Sequence, residues 1–76
     1  MNHREAYFNT IGRFGIKASD VAKHSGLSKS YISQYKSGKD IGVNNFFKLL
    51  SPLPKEAKAY YLFLVMDDDD GKLSAA

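Results

Sequence analysis

Apolar positions recur at helical spacing in five stretches, separated by short breaks that carry glycine, serine or proline. Asn2 followed by Glu5 is a capping-box start, since each side chain can satisfy an amide that the first turn leaves open. Behind it Tyr7, Ile11 and Phe14 repeat with Phe8 beside them, and Gly12 and Gly15 weaken the end, which predicts a first helix over 3–13. ASDVAKHS puts Val21 and Ala22 on one face and stops at Gly26. A third helix follows Ser28, a good N-cap residue, and ends at Ser37–Gly38. In VNNFFKLLS the positions Phe46, Phe47, Leu49 and Leu50 form a broad apolar face, and Pro52 ends the segment because it has no amide to continue the ladder. Pro54 suits a first-turn position and opens a fifth helix through KEAKAYYLFLVM. DDDDGKLSAA reads as an acidic disordered tail. The pattern predicts an all-α chain: one compact domain over 1–66, a tail over 67–76, and no linker or internal repeat.

The fifth segment is unusual. Tyr60 to Met66 is an unbroken apolar run, and a helix on a small monomer buries only one stripe. The excess apolar surface marks an interface, for which a second copy of the chain is the simplest partner. Tyr60, Tyr61, Phe63, Leu64 and Met66 are the candidate dimer contacts. Two other readings compete with this one. The segment could be a helix buried on every side, or a strand, which aromatic and β-branched residues favour. The helix-forming lead-in KEAKA argues for a helix.

Charge narrows the partner. The formal net charge of +3 is unevenly spread, because the acidic run DDDD sits in the tail and leaves residues 1–66 strongly basic. A small basic domain suits a polyanion, nucleic acid before anionic membrane. The longest apolar run falls far short of the ~20 residues that a membrane span needs, and the first residues, MNHREAYFNT, lack the apolar core of a signal peptide. A soluble, cytoplasmic protein is expected. With no cysteine and only His3 and His24 as imidazoles, the chain offers no metal-ligand spacing and no disulfide. No catalytic constellation stands out, so neither an enzyme, a cofactor nor a small-molecule ligand is expected. The DDDD run lacks the alternating ligands of a calcium loop.

The second and third helices carry the informative spacing. Ala22 is small enough for a second helix to cross closely, and Gly26 permits the positive φ that a tight turn after a helix requires. Leu27, Ile32 and Tyr35, with Val21, would plug the angle between the two helices. That is a helix-turn-helix. The stretch DVAKHSGLSKSYISQYKSGK resembles the lambda-repressor-like, or Cro/repressor-like, DNA-binding domains, through Ala22, Gly26, the Ser28 cap, Ile32 and the closing SGK. The resemblance extends to NFFKLLSPLP as a fourth helix and covers roughly residues 10–66. It implies a five-helix lambda-repressor-like fold that binds a near-palindromic double-stranded DNA operator as a homodimer, with the third helix in the major groove. Ala18 stands where the family often has a phosphate-bracing glutamine, so a contact there falls to Lys17, Ser19 or the backbone. Tyr35 stands where a smaller aliphatic residue is common. Some Cro-like relatives dimerise through a terminal strand, which keeps helix and strand open for the Tyr60–Met66 segment.

At about 100° per residue, Tyr31, Ile32 and Tyr35 share one arc of the third helix, while Ser30, Ser33, Gln34 and Ser37 face away from it with Lys29 and Lys36 on the shoulder. This outward face has no acid, so it can enter a major groove without repelling phosphates. By resemblance Lys29, Ser30 and Gln34 occupy the base-touching positions, with Ser33 and Tyr31 as secondary candidates. Gln34 can pair with adenine N6 and N7, and Lys29 with guanine O6 and N7. Lys17, Ser19, Ser28, Lys36, Ser37, Lys39, Lys23 and Arg13 are the candidate phosphate contacts. A repressor acting by steric occlusion is the simplest reading. A restriction–modification controller or an antitoxin-type regulator shares the same domain. A protein-interaction module working through the Tyr60–Met66 surface is the competitor from another class.

Overall fold

Asn2 starts the first helix as its sequence predicts: its Oδ1 accepts the Glu5 amide at 2.8 Å. The computed structural model describes residues 1–66, which form five helices and no strand, an all-α architecture. The expected acidic tail, 67–76, lies outside the described residues. The helices are α1 (His3–Arg13), α2 (Ala18–Ser25), α3 (Lys29–Ser37), α4 (Val43–Leu50) and α5 (Lys55–Met66). Pro54 precedes the first turn of α5 instead of lying within it, with its carbonyl accepting the Lys58 amide at 3.0 Å.

α1 is the central strut. Ala6, Tyr7, Thr10 and Ile11 form its buried stripe, and it packs against both α5 and α3. α2 packs against α3 and α4. Val21, Ile32, Tyr35, Leu49, Leu53, Ala57 and Tyr61 complete the core. The core is rich in phenols, and among the described residues each buried side-chain nitrogen or oxygen has a partner: the Tyr7 hydroxyl donates to the Leu49 carbonyl at 2.9 Å, and Thr10 Oγ1 to the Ala6 carbonyl at 2.7 Å. Such bonds matter because a buried donor or acceptor without a partner costs about 1–3 kcal/mol.

Two apolar stretches divide differently from their sequence pattern. On α4, Phe46 packs among Tyr7, Tyr35 and Tyr61, but Phe47 is 61% exposed. One residue of helix turns a side chain by about 100°, which carries Phe47 off the stripe of Phe46, Leu49 and Leu50. On α5 the run is neither buried all round nor a strand. Ala57 and Tyr61 point into the core with Leu64 partly covered, whereas Leu62, Phe63 and Met66 remain 57%, 65% and 60% exposed.

Burial is the main cause that pushes the Tyr61 phenol up to about 12, and it raises those of Tyr7 and Tyr35 strongly from the ordinary 10.0, with neighbouring phenols adding to it in both. An unfolded chain releases these protons near the ordinary value while the folded protein holds them. Stability is therefore complete below about pH 10 and declines as pH rises from there toward the folded values. The melting temperature should stay level to about pH 9.5 and then fall steeply, in step with tyrosinate absorbance. A melting temperature at about pH 11.5 equal to that at neutrality would contradict the burial of these three phenols.

Candidate nucleic-acid interface

The α2–α3 turn is built by Ser25, Gly26 and Ser28. Gly26 caps α2 in the left-handed region, φ 81°, and its amide returns to the Ala22 carbonyl at 3.1 Å. Ser25 Oγ accepts the Leu27 amide at 3.1 Å, and Ser28 Oγ accepts the Tyr31 amide at 3.0 Å, which starts α3. Val21, Ile32 and Tyr35 are buried, while Ala22 and Leu27 pack partly covered against the same core. The six residues expected to frame a helix-turn-helix all lie at this turn or against this core. A family model described as helix-turn-helix, of the Xre/lambda-repressor-like type, matches residues 12–58.

The chain belongs to this family. Comparisons with curated proteins and with solved structures gave no match. Membership makes the protein a DNA-binding helix-turn-helix regulator whose partner is double-stranded DNA. Among the described residues, no helix is long and apolar enough to cross a membrane.

The helix-turn-helix frame leaves one face of α3 to solvent. Lys29, Ser30, Ser33, Gln34, Lys36 and Ser37 are all exposed. The first turn of α3 has no acidic residue, and Lys36 lies in its last. Tyr31 differs from the others: it is half-buried, and its hydroxyl accepts from Asn45 Nδ2 at 2.9 Å, tying α3 to the start of α4. Packing thus dominates at Tyr31, and base contact can be at most a secondary task.

Several expected phosphate contacts have prior engagements. Ser28 uses its oxygen as a cap acceptor, a bond that does not engage its hydroxyl proton. Ser37 donates its proton to the Ser33 carbonyl at 3.0 Å, a bond it must give up to reach a phosphate. Lys36 Nζ lies 5.7 Å from the Phe8 ring centroid, and Lys29, Ser33 and Lys36 line a groove of about 460 Å³ beside Phe8 and Ile16. Arg13 stacks 5.0 Å from the ring centroid of Tyr60, at the α1–α5 junction. Lys17, Ser19 and Lys23 are exposed on α2 and its approach, and Lys17 makes no side-chain cap. Lys39 Nζ donates to Gln34 Oε1 at 3.2 Å, so it sits on the outward face of α3.

Sequence spacing did not reveal the clamp behind this face. His3 Nδ1 lies 2.6 Å from the Tyr35 hydroxyl with the two rings stacked, and Arg4 Nε donates to the Tyr35 carbonyl at 2.6 Å. Arg4 also reaches the Lys39 carbonyl at 3.2 Å and the Asp40 carboxylate at 3.7 Å. α1 therefore caps the C-terminal end of α3, whose last carbonyls lack helical partners. The tyrosine in place of a smaller residue was the one available clue, because its hydroxyl needs a partner.

Gly26 tests the turn cleanly, since a Cβ built there meets no atom within 4 Å and only the positive φ opposes it. Gly26→Ala should lower unfolding free energy by about 1–2 kcal/mol, and Gly26→Asn by less, in denaturant titration. Equal stability of all three proteins would place the turn in another conformation.

Proposed function

We propose that residues 1–66 form a single DNA-binding domain of a Cro/repressor-like regulator, which binds a near-palindromic operator as a homodimer with α3 in the major groove. The observation that carries the reading is the acid-free outward face of α3, with Lys29, Ser30, Ser33 and Gln34 exposed on a helix whose opposite face is locked in the core. Lys29, Ser30 and Gln34 read base edges. Lys17, Lys23, Ser19 and Ser28 hold phosphates, and counterion release makes that affinity salt-dependent. Repression follows from occupancy alone, by steric exclusion at the operator.

The second copy docks on α5. Leu62, Phe63 and Met66 supply the exposed apolar surface, and a two-fold pairing across it would set two reading helices about 34 Å apart, one turn of DNA. The expected contact set changes accordingly. Tyr61 is buried in the monomer core, and Leu64 is partly covered, because the inward stripe of α5 passes through both. Leu62 belongs to the outward face instead. Tyr60 is half-buried beside Arg13 and Phe14, at the edge of that face.

Selection of bound sequences from a random DNA pool, followed by titration at two salt concentrations, tests the whole reading. A shared sequence in two half-sites, bound more weakly at higher salt, is the expected result. Lack of binding to any duplex at low salt would sink it. On the selected site Gln34→Ala should cost about 1–3 kcal/mol and relax preference at one base pair. Lys23→Ala should weaken selected and random DNA alike and reduce the salt slope by about one. For the dimer, Phe63→Glu should give a folded monomer by sedimentation, with half-site binding retained and two-site affinity lost. A dimer of unchanged mass would remove α5 from the interface.

A further inference from the structure

Lys39, two residues past the end of α3, is held from two sides. Gly38, at φ 123°, lets the chain reverse, with its amide on the Tyr35 carbonyl at 3.1 Å and the Lys39 amide on the Gln34 carbonyl at 3.0 Å. This paired arrangement is a Schellman cap. Arg4 then fixes the Lys39 carbonyl at 3.2 Å. With its backbone anchored at both ends of the residue, Lys39 lays its side chain back over α3 and donates from Nζ to Gln34 Oε1 at 3.2 Å. An ammonium has only donors, so the amide oxygen must be the atom that faces it. The amide nitrogen and its two N–H groups are left for a base.

We infer that Gln34 and Lys39 act as one reader, and that the pair selects guanine over adenine at the base pair beneath Gln34. The inference rests on the proposed placement of α3 in the major groove. A free glutamine matches adenine, which offers an acceptor at N7 and a donor at N6. Gln34 is not free. Gln34 Oε1 keeps a second lone pair, but an adenine amino group that used it would bring its positive hydrogens beside the Lys39 ammonium, which opposes that approach electrostatically. Guanine offers acceptors at both N7 and O6, which match an amide N–H beside an ammonium. Lys39 thereby leaves the set of phosphate contacts and becomes a specificity-determining residue, orienting the amide and adding a donor of its own.

The test is a binding series on the selected operator, with each position changed in turn to all four base pairs. Wild type, Gln34→Ala and Lys39→Met are compared, the last keeping the stem and removing the charge. The Gln34 position is the one where Gln34→Ala flattens the preference. Wild type should favour guanine there by about tenfold. Lys39→Met should move that preference toward adenine and leave other positions unchanged, and Lys39→Gln, a second uncharged variant, should do the same. Replacing that guanine by 7-deazaguanine should weaken wild-type binding about as much as Gln34→Ala does.

A wild-type preference for adenine at that position overturns the inference, as does a Gln34→Ala protein that flattens no position. Equal weakening of every duplex, random DNA included, by Lys39→Met would make Lys39 an ordinary phosphate contact, and the DNA-reading proposal would survive. Failure of wild type to select any sequence would overturn both.

Discussion

The placement of α3 depends on how Tyr35 is buried. It lies on the inward face of the helix proposed to read DNA, with Tyr7, Phe8 and Phe46 around its ring and His3 stacked on it. Aromatic pairs of this kind are worth about 0.5–1.5 kcal/mol each beyond the area they bury. The hydroxyl would cancel much of that gain if it were left without a partner. His3 satisfies it, and Arg4, the next residue, binds the carbonyl of the same tyrosine. The N-terminal turn of α1 thus holds side chain and main chain of one residue at once, and α3 is fixed both in tilt and in rotation about its axis. A reading helix needs both, since a small rotation would move each outward side chain to a different base edge.

The same clamp reaches the surface. Arg4 connects the buried ring to the Lys39 carbonyl, and Lys39 in turn contacts Gln34. Interior packing is thus joined to the chemistry of the proposed reading face through four residues. Two exposed serines are similarly committed, Ser28 to a helix cap and Ser37 to a backbone carbonyl. A face that looks uniformly polar in sequence has a definite pattern of spare donors and acceptors, and that pattern is what a base edge would meet.

α5 divides its apolar residues between two duties. Ala57 and Tyr61 close the core against α1, which a domain of this size needs because so little surface is available to bury. Leu62, Phe63 and Met66 take no part in that closure. Their exposure is the physical basis for the proposed pairing, since a contiguous apolar patch in water favours a partner.

Helices, turn and family were all legible in local spacing. Asn2, Ser28, Gly26 and Pro52 act on their immediate neighbours, so capping, left-handed φ and the missing proline amide could be read without knowing where the chain goes next. Helical period also sorted α3 into its two faces. Tertiary structure decided what period cannot express: that Phe47 leaves the core while Phe46 enters it, that Tyr61 is an inside residue and Leu62 an outside one, and that His3 and Arg4 meet Tyr35 from a helix more than thirty residues away. Those outcomes depend on which neighbour each helix meets, a long-range property that no local spacing encodes. The Lys39–Gln34 contact is intermediate, because the residues are close in sequence but only the reversal at Gly38, held by Arg4, turns one toward the other.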